Sequence, residues 1–309
     1  MELKGKKVLV TGGAGFIGSH LVDRLIASGA KVSIIDNFST GQKKNIHPSA
    51  KFYHLDMNDS SVLKIFQEEK PEFVYHLAFN TDVPQSVRDP LFDAQGISGS
   101  INVFLAAVKV GAKKVVMASS AFVYGNCEPS SLPVTEQHQA QPVSPYAISK
   151  IASENYLRYF HNAHNLPIVI FRYSTVYGPR QITGALADYI RKISEDKQAD
   201  MFGDGNLTRD YIHVDDVVRA NLLALDVPNN HPEPIFNLGS TRERTLNEVY
   251  GTVAKLLGKP ENKPKYLPAR SGDITRFSVS YEKARHQLGW EPTVSFEKGV
   301  EDLLKDKQD

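Results

Sequence analysis

The stretch VSPYAISKIASENYLRYF sets Tyr146 and Lys150 four residues apart, behind a Ser144–Pro145 pair that reads as a helix N-cap and first helical position. At that spacing a phenol and an ammonium share one helical face. A free tyrosine, with a pKa of about 10, is a poor base at neutral pH, but an adjacent positive charge favours the phenolate, which can then take a proton from a hydroxyl. Of the 13 tyrosines only Tyr146 has a lysine four residues on. About one such pair is expected by chance, so its place in the chain must decide. Further hydroxyls stand upstream, where SSAFVYG, residues 119–125, follows the apolar run KKVVMA. Ser119 and Ser120 would sit at the carboxyl end of a buried strand, where open α/β sheets bind ligands, either as turn residues or as holders of a substrate.

A glycine turn opens the chain. KKVLVTGGAGFIGSHLVDRL puts Gly12, Gly15 and Gly18 three apart, after a strand and into the start of a helix. Backbone N–H groups and the helix dipole there suit a pyrophosphate, although the same pattern also makes a strand-to-helix turn without a ligand. The next strand, KVSIID, ends in Asp36, at the distance where a carboxylate accepts hydrogen bonds from an adenosine ribose. Asp36 would repel a 2′-phosphate and no arginine follows it directly, so NAD is expected over NADP. Asp36 could also cap the DNFSTG turn. Asp56, closing the third strand, either faces the adenine amine or caps the helix that follows.

These groups need elements to hold them. Short β-branched runs alternate with helical stretches: KKVLVT, KVSIID, KFYHLD, EFVYHLA and KKVVMAS, with FIGSHLVDRLIAS, SVLKIFQEE and SINVFLAAVKV between them. Such alternation predicts a Rossmann-type doubly wound parallel sheet with helices on both faces. After LPIVIFRYS, Pro and Gly punctuation breaks the pattern, and a smaller α/β C-terminal substrate lobe is expected there. The expected division is 1–172 for the dinucleotide domain, with a return around 206–237, and 173–205 with 238–309 for the lobe. The helical stripes Ile101, Phe104, Leu105 and Val108, and Ile151, Leu157 and Phe160, read as core.

Composition narrows the partners. With 309 residues, 41% hydrophobic and 23% charged, the chain can bury a large core, and a net charge of +1 gives no field for nucleic acid or an acidic membrane. Small polar ligands are the default. Cys127, the only cysteine, allows no intrachain disulfide and suits a reducing compartment, so a cytoplasmic location is expected. No apolar run approaches the roughly 20 residues of a membrane span. His161 and His164 have no acidic or cysteine partner in reach and read as a solvated helix face rather than a metal site; no metal is expected.

Taken in order, TGGAGFIGSH, DNFSTG, SSAFVYG, SPYAISK, RYSTVYGPRQ, FGDGNLTRDYIHVDDV, NLGS and PARSGDITRF…KARHQLGWEP cover nearly the whole chain. This series resembles the extended short-chain dehydrogenase/reductases, and most of all the nucleotide-sugar epimerases of the UDP-galactose (UDP-glucose) 4-epimerase type. The resemblance implies epimerisation at carbon 4 through a transient 4-keto sugar, with NAD firmly held and no net oxidation. Tyr146 would be the base, Lys150 would lower its pKa and grip the nicotinamide ribose, and Ser120 would hold the reacting hydroxyl, with Ser119 structural. The cofactor would lie along Gly12, Gly15, Phe16, Ile17 and Gly18, then Asp36, Asn37, Ser39, Thr40 and Gly41. It would continue along Asp56, Met57, Leu77, Ala78, Phe79 and Thr81 to Tyr146, Lys150 and Tyr173.

The substrate, a nucleotide sugar with UDP as the expected carrier, would meet Ser120, Tyr146, Thr175, Arg209, Arg270 and Phe277. As a plainer reading, Arg209 or Arg270 would pair with Asp210 or Asp273 at the surface. Ala121 and Phe122 stand where related dehydratases and decarboxylases carry an acidic residue, which counts against those reactions. Three positions depart from the family pattern: Phe79 replaces a small residue, Gly96 an asparagine and Thr175 an asparagine. The resemblance also implies a homodimer through two helices. A keto-sugar-nucleotide reductase and a non-catalytic NAD-binding protein are the rival functions.

Overall fold

The computed structural model describes residues 2–269 and 274–306. Arg270 and Asp273 lie outside the described residues. The first half delivers the expected alternation: β1 (Lys7–Thr11), α1 (Phe16–Ala27), β2 (Lys31–Asp36), β3 (Lys51–His54), α2 (Ser61–Glu69), β4 (Phe73–His76), α3 (Val83–Arg88), α4 (Pro90–Val110), β5 (Lys114–Ser120), α5 (Pro145–His164) and β6 (Ile168–Tyr173). Then come β7 (Thr175–Tyr177), α6 (Ala185–Ser194), β8 (Asp200–Phe202), β9 (Thr208–His213), α7 (Val214–Leu223), β10 (Ile235–Leu238), β11 (Glu243–Thr245), α8 (Leu246–Leu256), β12 (Lys265–Leu267), α9 (Glu282–Leu288) and α10 (Phe296–Asp306).

Seven strands form one sheet in the order β10-β6-β5-β4-β1-β2-β3, with every neighbouring pair parallel. Side chains alternate across it. Val8, Val10, Ile34, Tyr75, Val116 and Phe171 point to the layer containing α1 and α7, while Leu9, Ile35, Val74, Val115, Met117 and Ile170 point to that of α2, α4 and α5. Burial on both faces explains why these strands read as continuous apolar runs. The order reverses between β1 and β4, which places the ligand crevice at the carboxyl ends of those strands. A second core gathers Tyr177, Tyr189, Met201, Tyr211, Val253 and Phe296 around the small β11-β9-β7 sheet. A further cluster, with Ala121, Tyr124, Val134, Phe277 and Val279, packs under the SSAFVYG turn.

Two expectations need correction. Helix α4 begins at Pro90, ten residues before the apolar stretch that announced it, because the Asp89 side chain caps the N–H of Phe92 and Pro90 presets the first turn. At 21 residues it is therefore long and apolar enough to cross a membrane, contrary to the reading of short apolar runs. Its Val103, Phe104, Ala106 and Ala107 are buried beside α2 and α5. The other correction is Leu105, expected in the core, which lies exposed on that helix.

Candidate active site

The glycine turn is built for close approach. Gly12 has φ of +72°, and a β-carbon on it would stand 2.7 Å from the backbone nitrogen of Ala78. A β-carbon on Gly18 would collide with the Gly12 carbonyl oxygen. Helix α1 starts after Gly15 with no side-chain cap and no acidic residue in its first turn, leaving its first N–H groups to an anion. Beside it the buried Asp36 carboxylate accepts from Ala14 N at 3.0 Å and Phe38 N at 2.8 Å. It thus braces both the glycine turn and the DNFSTG turn. Asp56 accepts from the Asn37 amide at 2.6 Å and from Asn58 N at 2.8 Å, and these bonds lower its pKa against the opposing effect of burial. The helix that follows, α2, has Ser60 at its N-cap with no side-chain cap bond, and Asp59 accepts from Ser61 N at 2.7 Å in the turn before it.

Phe16, Ile17, Leu77, Ala78 and Met57 are half-buried around this crevice, whereas Asn37, Ser39, Thr40 and Thr81 are exposed. The Gly41 α-carbon faces Asp36 closely enough that a β-carbon would lie 2.6 Å from Asp36 Oδ1. A cradle without room for side chains, an uncapped helix start and a buried carboxylate beside the glycine turn together fit a dinucleotide such as NAD.

The proton-transfer groups converge at the end of β5. Ser144 caps α5 by accepting from Ala147 N at 3.3 Å, and Ser86 accepts from Tyr146 N at 3.2 Å, fixing the first turn. From there the Tyr146 hydroxyl reaches the neighbourhood of the Ser120 side chain, which acts to lower its pKa. Ser120 also accepts from Phe122 N at 3.2 Å. One turn along α5, Lys150 donates to the Ala118 carbonyl at 2.9 Å and lies 5.9 Å from the Tyr146 ring centroid. All three side chains are buried.

Burial sets their acidities. It pushes the Tyr146 phenol up to about 12, with the nearby Ser120 side chain pulling down and the Asp93 charge pushing up. It pulls the Lys150 ammonium down to about 7 against the charges of Asp93 and Glu154. Lys150 alone therefore does not bring the phenol into the neutral range.

Ser119 faces away from the site and hydrogen-bonds to Glu154, whose carboxylate also accepts from Arg172 Nε at 3.0 Å and Nη2 at 2.6 Å. Arg172 continues to the Tyr124 hydroxyl at 2.9 Å, and Tyr124 to Asn237 at 2.8 Å. This buried network clamps α5 onto β5 and β6 directly behind the reacting groups. Sequence reading missed it because its members lie 18 to 113 positions apart along the chain. Asp93 was missed too. It is buried beside Ser149, Asn80 and Lys150, and no local pattern signals a carboxylate facing inward from the first turn of α4.

On the lobe side, Arg209 donates to the carbonyls of Thr208 and Ile274, both at 2.7 Å, with its guanidinium carbon 5.7 Å from the Phe122 ring centroid. Asp210, the proposed surface partner, is instead buried and accepts from Ser240 N at 2.7 Å and Val279 N at 3.1 Å. Thr175 Oγ1 is buried without a hydrogen-bond partner among the described residues. Phe277 is fully buried and meets Phe122 edge-on at 5.5 Å. Tyr173 sits opposite Ser120 across the β5–β6 ladder, with its hydroxyl bonded to Asn221 at 3.1 Å.

A doubly wound sheet with a glycine cradle at its switch point and a Ser–Tyr–Lys cluster at the neighbouring strand end defines a dinucleotide-dependent enzyme that works on hydroxyl groups. The chain belongs to the NAD dependent epimerase/dehydratase family, which matches residues 8–239. It is 38% identical to a putative UDP-glucose 4-epimerase of Methanocaldococcus jannaschii over 96% of this chain and 97% of that one. Among solved structures it is similar to the UDP-glucose 4-epimerase of Thermotoga maritima with UDP-glucose, at 38% identity and a TM-score of 0.93, covering 97% and 98% of the two chains. The Thermus thermophilus UDP-glucose 4-epimerase in complex with NAD is 35% identical, with a TM-score of 0.90 and the same coverage.

Proposed function

We propose that the protein is an NAD-dependent 4-epimerase of UDP-linked hexoses, interconverting UDP-glucose and UDP-galactose. The observation that carries this reading is the burial of Ser120, Tyr146 and Lys150 together at the end of β5, with Lys150 5.9 Å from the Tyr146 ring centroid and bonded to Ala118 O. NAD, held firmly by the cradle from Gly12 to Gly18 with Asp36 on its adenosine side, supplies a reversible two-electron acceptor. Ser120 orients the sugar 4-hydroxyl and Tyr146 takes its proton. For that the phenol must fall from about 12 towards neutrality. Positive charge at Lys150 and at the bound cofactor ring acts in that direction. Returning the proton from Tyr146 to either epimer closes the cycle without net oxidation.

In this reading residues 1–172, with the return around 206–237, form the cofactor domain and 173–205 with 238–309 the nucleotide-sugar lobe, and Thr175 and Arg270 from the lobe meet the diphosphate together with Arg209 from the return segment. Phe122, backed by the fully buried Phe277, limits the space for the sugar and disfavours N-acetylated substrates. Leu91, Phe92 and Leu105 on α4, with Ile148, Tyr156 and Tyr159 on α5, leave an exposed apolar face that supports a homodimer. A cytoplasmic location accords with the lone cysteine. To separate epimerase from reductase, UDP-galactose in large excess is incubated with NAD below stoichiometry. An epimerase converts many equivalents with no lasting change at 340 nm, whereas a reductase stops when its nicotinamide pool is spent. Binding without conversion of any sugar would leave only a non-catalytic NAD protein.

A further inference from the structure

Phe79 and Gly96 are far apart in sequence and in contact in space. The Phe79 ring lies so close to Gly96 that a β-carbon there would stand 2.7 Å from its Cε2 and Cζ atoms. The ring can occupy this position only because residue 96 has no side chain. Its opposite obligations are aromatic and ionic: Lys150 Nζ is 3.8 Å from the ring centroid, and the Tyr146 ring meets it edge-on at 6.2 Å. An ammonium has three donors. One goes to Ala118 O, and the ammonium faces the Phe79 π cloud.

We propose that Phe79 is a positioning residue for the reaction: its ring face holds the Lys150 ammonium charged and aimed beside Tyr146, and Gly96 is the space that admits the ring. This rests on the reading of Lys150 as part of the proton-transfer site. The physical need is plain, because Lys150 is almost completely buried and burial favours the neutral amine. The other ionisable groups facing it are Asp93 from α4, Glu154 and Tyr146 from α5, and His76 from β4, whose own pKa burial and Lys150 lower to about 3. Only the two carboxylates among them favour the ammonium. A cation over an aromatic face adds to that, and a desolvated contact of this kind corresponds to about half to one and a half pH units.

Two variants reach the contact from opposite sides. Phe79→Leu keeps an apolar side chain and removes the π face; Gly96→Ala keeps the ring and forces it off its seat. The first readout needs no turnover: the Lys150 Cε chemical shift across pH in full-length protein carrying 13C-labelled lysine, assigned by comparison with Lys150→Arg. Both variants are expected to move the Lys150 titration down by about half to one and a half pH units. The double variant should move it no further than the larger single shift, since both remove one contact. The second readout is the pH profile of kcat with UDP-galactose, whose alkaline limb should move the same way, with KM little changed. Equal loss of rate at every pH, with an unshifted Lys150 titration, would overturn the proposal and leave Phe79 as packing. A shifted titration in a protein that converts no sugar would support the Phe79–Lys150 contact while rejecting the epimerase reading.

Discussion

Replacing Glu154 by glutamine tests the clamp behind the site. Glu154 and Arg172 have side chains only 1% and 7% exposed, and Ser119 adds a hydrogen bond to the same carboxylate. Glu154→Gln keeps the shape, leaves the guanidinium without its counter-charge and turns an amide N–H towards a donor. Breaking a buried pair from one side costs about 3–5 kcal/mol. Unfolding a chain of 309 residues carries an entropy of roughly 0.65 kcal/mol per kelvin near its midpoint, so Tm should fall by about 5–8 °C. The assay is thermal unfolding followed by circular dichroism at fixed protein and cofactor concentration. Glu154→Leu combined with Arg172→Met should recover most of the loss, because removing both charges also removes their desolvation. A Glu154→Gln protein melting within about 1 °C of the wild type would refute the assignment of a clamp.

Three further outcomes are expected. Gly12→Ala places a side chain at positive φ against Ala78, a strain of about 1–3 kcal/mol, and the purified variant should carry no NAD; nucleotide released on denaturation at wild-type yield would contradict this. Asp36→Ala removes a charged acceptor for the ribose, so NAD binding to the stripped protein, read by fluorescence titration, should weaken by about 10–100-fold and discrimination against NADP should shrink. Burial raises the Asp210 carboxyl from 3.8 to about 6, so the folded state binds that proton more tightly than the unfolded state. The resulting stabilisation is complete below about pH 4 and is lost as pH rises through about 6, a change of about 3 kcal/mol. Urea unfolding should show Asp210→Asn gaining about that much relative to the wild type between pH 4 and pH 7, and an unchanged difference would count against it.

Most strands were legible because both faces of a parallel sheet are buried, so β-branched runs such as KVSIID end where the strand ends. The early part of α4 was hidden by its own packing. Gly96 and Gly99 interrupt the apolar pattern because Phe79 and Met57 need the room. Leu105 looked like core because periodicity marks an apolar stripe without saying which neighbour covers it. In the site, Tyr146, Lys150 and Ser120 could be singled out because helix spacing and strand ends constrain them locally. Arg172, Glu154 and Asp93 could not, since their partners are set by tertiary contacts that leave no periodic trace. The departures at 79 and 96 were visible one by one, but only the fold joins them into a single contact.

The most direct measurement is proton NMR of UDP-galactose incubated with purified protein and no added cofactor, wild type beside Tyr146→Phe. Expected is conversion to UDP-glucose by the wild type until equilibrium, and a loss of at least about 100-fold in the variant, which keeps its fold and its NAD. Equal rates in the two proteins would contradict the assignment of the proton to Tyr146.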